Sequence, residues 1–351
     1  RLIGAAYAEV AALEPWLLDA TPSAEAAVLA IGPLEETLDG IGTQSPDSEG
    51  AIQMFIELGV QCDLVDAEAA LDSYRLVVLP DGAEVGAELQ GKLDRFVAGG
   101  GALIFSGTAG LDPATGSFRL AASPVRYLGV APTQPAYLRA TGIQAPGTEL
   151  SADYDYVFYD PAHVVEPLNG AMTYGSIGRA YFTRTWEHFM GHQHAPFDRT
   201  LDAPLAVRKG KVLYLAAPLL AGYKRQDYWA YRAMLGGLLA DLLPDRLIYP
   251  QGPGWVEFTL QRQAAAAGHG LRQVVHVAAY QPRRSLQPIA HVDQGWPVAG
   301  LGFRVRAEGE PQQVSLAPGG TALAFTVEDG YVKVDLPPLH TNAVVAIEYA
   351  A

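Results

Sequence analysis

Residues 74–105, YRLVVLPDGAEVGAELQGKLDRFVAGGGALIF, decide the fold class of this chain. The first run, Tyr74–Leu79, is short and apolar, which is typical of a strand buried on both faces of a sheet. From Val85 to Val97 the apolar side chains recur at helical spacing, and three glycines that suit a tight turn follow. Ala102–Phe105 is again a short apolar run. This order of strand, helix and strand predicts two parallel strands joined by a crossover helix.

The same alternation extends on both sides of this stretch. The further predicted elements are a strand at Ala26–Ile31, a helix from Ser45-Pro46 to Gly59, a strand at Val60–Val65, a strand at Val212–Ala217 and a helix from about Asp227 to Pro244. Residues 112–205 are rich in turns and aromatic side chains and show no regular period. The sequence therefore predicts an α/β fold with a doubly wound parallel sheet and flanking helices.

The last hundred residues change to an alternation of apolar and polar side chains. Predicted strands with this period of two lie at Val256–Leu260, Val274–Val277, Ala322–Val327, Tyr331–Leu336 and Ala343–Tyr349. Turn sequences such as Pro318-Gly319-Gly320 separate them. Short strands of this kind predict a small all-β sandwich, and we place the boundary that precedes it within residues 244–253.

Composition excludes several classes of protein. Of the 351 residues, 49% are apolar and 18% are charged, which excludes a disordered chain and a coiled coil. The formal net charge of −14 repels phosphate backbones, so we expect no nucleic-acid partner. No apolar run reaches the roughly 18–20 residues of a membrane helix, so we expect no membrane partner. The single cysteine, Cys62, excludes an intrachain disulfide framework.

Several motifs resemble a known family of glycoside hydrolases. Five motifs resemble the trimerisation domain of family 42 β-galactosidases. They are SEGA (48–51), YRLVVLP (74–80), FVAGGG (96–101), LIF (103–105) and GLD (110–112). Five other motifs resemble a related, fucosidase-like group of glycoside hydrolases. They are YAEV (7–10), EPW (14–16), FTRTWEHF (182–189), HQH (192–194) and LHTNAVV (339–345). The trimerisation domain is a relative of the class I glutamine amidotransferase fold, which is flavodoxin-like.

The resemblance implies a domain organisation. Residues 1–20 correspond to a linker helix that leaves an N-terminal barrel, residues 21–245 to the amidotransferase-like trimerisation domain, and residues 246–351 to the C-terminal β-sandwich. Such enzymes have their catalytic carboxylates on a (β/α)₈ barrel, and nothing here supplies eight βα units. We therefore expect the C-terminal region of a longer enzyme, without its catalytic barrel and without a cofactor. The chain starts at Arg1 with no signal-peptide segment, which favours a cytoplasmic over a secreted location but leaves the compartment open.

The amidotransferase relation raises the question of a nucleophile. That chemistry needs a cysteine at the sharp turn after a central strand, together with a histidine–glutamate pair. Here the turn is Phe105-Ser106-Gly107-Thr108-Ala109-Gly110, without cysteine, and the sequence places no base beside Ser106 or Thr108. Glu84 and Glu88, spaced as neighbours on one helix, are better explained as a solvated helix face than as a pair of catalytic carboxylates. We predict no catalytic residue in this chain.

The most distinctive motif is Trp186-Glu187-His188-Phe189-Met190-Gly191-His192-Gln193-His194. Three of the eight histidines fall within these nine residues. Three interpretations stay open: a structural loop at a domain or subunit interface, a histidine-aromatic lining of a sugar pocket, and a metal site. The candidate substrate-binding residues are Arg184, Trp186, Glu187, His188, His192 and His194, and His188, His192 and His194 are also the weak candidates for metal ligands.

These observations lead to one hypothesis of function and two alternatives. The chain is expected to be the non-catalytic oligomerisation region of an enzyme that hydrolyses galactosides or fucosides. Its partners would be copies of itself, as a homo-oligomer that is a trimer in the family, and carbohydrate through the parent enzyme. The alternatives are an independent carbohydrate-binding module and, third, a metal-dependent hydrolase that uses the His188/His192/His194 loop.

Overall fold

The computed structural model describes residues 2–32, 34–36, 43–145, 147–266, 270–280, 282–283, 291–292 and 296–350. The chain forms two compact units. The parallel-sheet unit comprises Ala26–Met54 and Asp63–Pro244, and the β unit comprises Arg1–Glu25, Phe55–Cys62 and Asp245–Ala351. The helices of the described residues are α1 (Leu2–Leu17), α2 (Pro46–Leu58), α3 (Ala87–Ala98), α4 (Leu219–Gln226) and α5 (Trp229–Leu242). None of these helices is long and apolar enough to cross a membrane.

A seven-stranded sheet forms the centre of the parallel-sheet unit. Its strands in chain order are β1 (Ala26–Leu29), β2 (Cys62–Val65), β3 (Leu76–Leu79), β4 (Ala102–Ser106), β5 (Met172–Tyr174), β6 (Ala206–Lys209) and β7 (Val212–Leu215). Their order across the sheet is β5-β6-β7-β4-β3-β1-β2. The pairs β1/β3, β3/β4 and β4/β7 are parallel, as the sequence predicts, whereas β5 and β6 extend the sheet by antiparallel pairing.

Burial explains why the sequence indicates these strands so clearly. Every residue of β1, β3, β4 and β7 is buried, which requires apolar side chains on both faces. The turn between α3 and β4 needs its glycines, since Gly100 has a φ of +94° and a Cβ on Gly101 would lie 2.3 Å from the Phe96 ring. The three glycines therefore make the tight helix-to-strand turn that the sequence suggests.

The segment without a regular period, residues 112–205, contains short antiparallel strands. Tyr156–Phe158, Ala136–Arg139, Ser176–Ala180 and Phe197–Thr200 form a four-stranded sheet in that order. Val125–Val130 pairs with His163–Pro167, and Leu111–Asp112 pairs with Ser117–Phe118. Strands of two to six residues are too short to produce a recognisable alternation, which is why the sequence does not predict them.

The β unit contains two antiparallel sheets. The six-stranded sheet has the order Ala20–Pro22, Glu257–Gln263, Arg272–Ala278, Asn342–Tyr349, Pro311–Ala317 and Thr321–Ala322. The four-stranded sheet has the order Ile248–Gln251, Gly302–Arg306, Tyr331–Asp335 and Phe325–Glu328. Both sheets contribute to one apolar core, with Phe258 and Val345 from the first and Phe303 and Val332 from the second.

The predicted strand Ala322–Val327 is divided between these sheets. Thr321–Ala322 pairs in the six-stranded sheet, and Phe325–Glu328 pairs in the four-stranded one. Two further strand pairs complete the described structure, Glu35–Glu36 with Thr43–Gln44 and Pro282–Arg283 with His291–Val292. At the end of α1 the side-chain amide of Gln263 donates to the carbonyl oxygens of Pro15 at 3.2 Å and Leu18 at 2.7 Å.

We expect Phe105→Ala to destabilise the parallel-sheet unit strongly. The Phe105 ring is fully buried in β4, with ring centroids of Phe118 and Tyr214 5.3 and 5.0 Å away, so truncation leaves a cavity that rigid neighbours cannot fill. The expected loss is about 3–5 kcal/mol in the free energy of unfolding, measured by urea unfolding followed by circular dichroism. The exposed Phe189→Ala is the matched control, and equal losses for the two variants would contradict the assigned core.

Candidate functional site

The histidine motif lies in a long loop, residues 181–196, between the strands Ser176–Ala180 and Phe197–Thr200. The base of the loop is fixed. Tyr181 N–H donates to the Pro196 carbonyl oxygen at 3.1 Å, and the buried Tyr137 hydroxyl donates to the Ala195 carbonyl oxygen at 2.7 Å. Tyr137 and Ala195 belong to a small apolar core that also contacts Met190. The loop is therefore anchored at both ends, and its tip projects from a packed sheet.

The tip of the loop presents aromatic side chains to solvent. Thr185 and His188 close a turn, because Thr185 N–H donates to the His188 carbonyl oxygen and His188 N–H to Thr185 Oγ1, both at 3.1 Å. The Arg184 guanidinium stacks 4.9 Å from the centroid of the Phe189 ring. Trp186 is 88% exposed and Phe189 67% exposed. Large exposed apolar side chains on an ordered loop are typical of a contact surface.

The three histidines of the motif have separate surroundings. His194 Nδ1 lies 3.1 Å from the Tyr159 hydroxyl, and the His188 ring lies 6.1 Å from the Phe182 ring. His192 and Glu187 are exposed. Among the residues that the structure describes, no group of three or more histidine, cysteine, aspartate or glutamate side chains could hold a metal ion. The geometry thus gives no support to the metal-dependent alternative.

The turn after β4 lies next to a histidine that the sequence does not place there. Gly107 has a φ of +57°, and a Cβ on it would lie 3.4 Å from His163 Nε2. His163 Nδ1 is 3.1 Å from the Tyr127 hydroxyl, and burial lowers the His163 pKa to about 4. Ser106 is fully buried, and its Oγ has no hydrogen-bond partner among the residues that the structure describes. A neutral histidine is thus beside the turn, but Ser106 Oγ is neither activated by it nor reachable by a substrate.

Buried carboxyl groups collect at the carboxyl edge of the parallel strands, where open α/β sheets bind ligands. Asp81 follows β3, and its Oδ2 accepts from Ala221 N–H of α4 at 3.1 Å. Burial raises the Asp81 pKa to about 8, and the nearby charges of Asp47 and Asp160 act in the same direction. Arg225 opposes them and pairs with Asp160 at 2.9 Å. The edge therefore contains more buried acid than its arginine can neutralise, and Asp81 is protonated at neutral pH.

The carboxylates considered from sequence spacing do not form a pair on one helix. Helix α3 begins at Ala87, so Glu84 precedes it and only Glu88 lies in its first turn. Both side chains are exposed. The expectation of a shared helix face is wrong because the chain enters the helix after Gly86, which is the N-cap. Neither carboxylate has the buried environment of a catalytic acid.

The sequence and the fold of this chain are both similar to those of known proteins. Residues 53–126 match the sequence profile of the β-galactosidase trimerisation domain. The whole chain superposes on α-L-fucosidase isoenzyme 2 from Paenibacillus thiaminolyticus with a TM-score of 0.89 and 25% sequence identity, over 100% of this chain and 52% of that one. The resemblance is confirmed. This chain is similar to regions that are associated with glycoside hydrolases.

More distant structures share the fold. The β-galactosidase from Bacillus circulans sp. alkalophilus has a TM-score of 0.60 at 13% identity, over 97% of this chain and 44% of that chain. The β-galactosidase from Rahnella sp. R3 has a TM-score of 0.54 at 14% identity, over 94% and 42%. This chain thus spans about half the length of the fucosidase and less than half the length of each of these two β-galactosidases. No curated protein matches it by sequence.

We expect Asp81→Asn to reduce the loss of stability with rising pH. The folded pKa of about 8 lies above the ordinary aspartate value of 3.8, so between these values the unfolded chain has released a proton that the folded chain retains. The contribution of Asp81 to the free energy of unfolding is therefore fully present below about pH 4. It falls as the pH rises towards 8, by at most about 1.4 kcal/mol per pH unit. The amide variant lacks this slope and can still accept from Ala221 N–H.

The measurement is the midpoint of thermal unfolding at pH 5, 6.5 and 8 for wild type and variant. The difference between them is expected to move in favour of Asp81→Asn as the pH rises. The exposed Asp202→Asn serves as the control and should follow wild type. A constant difference between Asp81→Asn and wild type across these pH values would contradict a protonated Asp81.

Proposed function

We propose that this chain is the non-catalytic oligomerisation region of a glycoside hydrolase that cleaves the O-glycosidic bonds of galactosides or fucosides. The observation that supports this most strongly is the similarity over its full length to half of an α-L-fucosidase, together with the trimerisation-domain match at residues 53–126. Its role is to hold copies of the chain together and to form part of the wall of an active site. The catalytic carboxylates belong to another part of the enzyme.

The finer fold assignments belong to the same proposal. We infer a flavodoxin-like, amidotransferase-related domain at residues 21–245 and a β-sandwich at residues 246–351. The amidotransferase shape is kept without its chemistry, because the last residue of β4, Ser106, is fully buried at the position where a substrate would have to reach a nucleophile. The parallel sheet then serves as a rigid support for surfaces that bind other molecules.

An exposed strand face is a suitable interface between copies. The strand Val125–Val130 begins inside the matched segment and alternates between buried and exposed residues, with Arg126, Leu128 and Val130 on the exposed side. Leu128 is 56% exposed. Two branched apolar side chains on one exposed strand face lose contact with water when a second chain covers them, which favours association.

We expect light scattering on a sizing column to give a mass of three times the 37.4 kDa of one chain. Leu128→Asp should shift this mass towards the monomer, because it places an unpaired carboxylate in an apolar contact. Leu34→Asp, at an exposed leucine outside this strand, is the control and should keep the trimer. A wild-type monomer would contradict self-association within these residues, and a trimeric Leu128→Asp would remove this strand from the interface.

The aromatic loop supports a second candidate function, a carbohydrate-binding module. Trp186 and Phe189 at the tip are exposed, and Arg184, His188 and His192 add polar groups beside them. Aromatic faces next to hydrogen-bonding groups suit sugar rings, whose C–H groups pack on the aromatic face. In the assembly role the same loop would form part of the lining of a sugar pocket.

For this candidate we expect Trp186→Ala to weaken the binding of galactose- or fucose-containing oligosaccharides at least tenfold in titration calorimetry. His192→Ala should weaken it less, because the imidazole supplies only a hydrogen bond. The exposed Trp296→Ala, in the β unit, is the control. Unchanged affinity in Trp186→Ala would exclude the loop as the binding surface of the isolated chain. Hydrolysis of nitrophenyl galactosides or fucosides by this chain would overturn its non-catalytic role.

A further inference from the structure

A second aromatic surface lies in the parallel-sheet unit. Tyr154, Tyr156, Tyr228 and Trp229 line a cavity of about 390 Å³, which we name the tyrosine–tryptophan cleft. Its volume is within the range of small-molecule sites. The remaining lining residues are polar, namely Glu149, Ser151 and Asp153. None of the residues of the histidine loop lines this cleft.

The rings of the cleft are held in place before any ligand arrives. Tyr156 is buried in the four-stranded sheet, and its hydroxyl oxygen accepts from Ser151 N–H at 2.7 Å. The Tyr154 ring packs edge to face on the Tyr156 ring, with centroids 4.8 Å apart. Trp229 is the first residue of α5, and its ring is also perpendicular to that of Tyr156 at 6.2 Å. Ordering these side chains therefore costs little free energy when a ligand binds.

The cleft nevertheless leaves aromatic surface uncovered. Tyr154 is 58% exposed and Trp229 39% exposed. Within the described residues the indole N–H of Trp229 and the hydroxyl of Tyr154 have no hydrogen-bond partner, so each ring offers an apolar face and a free polar group. This combination fits a pyranose, which presents C–H groups on one face and hydroxyl groups at its edge.

The charge of the cleft narrows the class of ligand. Glu149 and Asp153 are exposed carboxylates, and the lining residues include no lysine or arginine. Anionic sugars would be repelled. Neutral sugars instead have hydroxyl groups that can donate to the carboxylate oxygens in charge-assisted hydrogen bonds.

The arrangement of the rings also argues against an organic cation. An aromatic cage for a quaternary ammonium group surrounds the charge with ring faces. In this cleft the rings contact each other, with centroids 4.8 to 6.2 Å apart along the series from Tyr154 through Tyr156 to Tyr228 and Trp229. The rings therefore pack on one another in edge-to-face or tilted contacts and do not form a closed cage.

We propose that the tyrosine–tryptophan cleft binds one neutral pyranose unit of an oligosaccharide, with Trp229 and Tyr154 as platforms and Asp153 and Glu149 as acceptors of sugar hydroxyl groups. This site shares no lining residue with the loop of residues 181–196. It would hold a polysaccharide or glycan chain on the parallel-sheet unit.

The test is titration of the full chain with galactobiose and with 2′-fucosyllactose by saturation-transfer NMR and calorimetry. We expect a dissociation constant on the order of 1 mM for at least one of them. Trp229→Ala should weaken binding at least tenfold, and Asp153→Asn, an exposed change that leaves the rings in place, should weaken it several-fold. Trp229→Phe should retain most of the affinity because it keeps an aromatic face.

Trp255→Ala is the matched control, since Trp255 is also 39% exposed but lies in the β unit. It should bind as wild type does. Absence of binding for both sugars, or equal affinity of Trp229→Ala and wild type, would overturn the proposal. Loss of binding in Trp186→Ala with normal binding in Trp229→Ala would place the sugar on the histidine loop. Binding of tetramethylammonium in competition with the sugar at Trp229 would identify a cation site instead. None of these results depends on the mass of the assembly.

Discussion

The burial of four neighbouring strands on both faces is the constraint on which the rest of the parallel-sheet unit depends. In β1, β3, β4 and β7 every residue is buried, and the side chains are apolar except for Ser106 at the end of β4 and the hydroxyl of Tyr214 in β7. Polar chemistry is therefore displaced to the ends of the strands, where Asp47, Asp81 and Ser106 lie. At one of these ends Ala221 N–H of α4 donates to Asp81 Oδ2, which would otherwise be buried without a partner.

This constraint also explains where binding surfaces can occur. The carboxyl edge of the sheet, which is the usual ligand site of such folds, is closed by its own side chains. Tyr214 donates from its buried hydroxyl to the Gly107 carbonyl oxygen at 2.8 Å, and Ser106 lies beneath the turn. The exposed aromatic surfaces lie instead on the short antiparallel strands and loops of residues 112–205 and at the start of α5. The sheet is a rigid support, and the segments inserted into it present the surfaces that can bind other molecules.

The sequence predicts the parallel strands well because their signal is local. Six or fewer consecutive apolar residues, such as Leu76–Leu79, next to a helix with one apolar stripe admit few other interpretations. The antiparallel strands β5 and β6 are harder to predict, since Met172–Tyr174 is short and mostly exposed.

The candidate site is predictable from the sequence only where its signal is local. The exposed loop around Trp186 is visible as a cluster of unusual residues, whereas the approach of His163 to Gly107 joins residues 56 positions apart and has no local signal. The tyrosine–tryptophan cleft likewise joins residues 154 and 229, and spacing alone makes Tyr154 and Tyr156 resemble core residues.

The division of the chain into units has a consequence for modularity. The β unit takes its residues from three separate segments, and the short middle one, Phe55–Cys62, lies between two segments of the parallel-sheet unit. The backbone thus crosses from one unit to the other four times. A gene truncated after Pro244 would encode an incomplete β unit attached to a complete parallel-sheet unit, and a gene that starts at Asp245 would lack two of the three β segments. Neither unit can be exchanged between proteins by a single recombination event, so the two are expected to be inherited together.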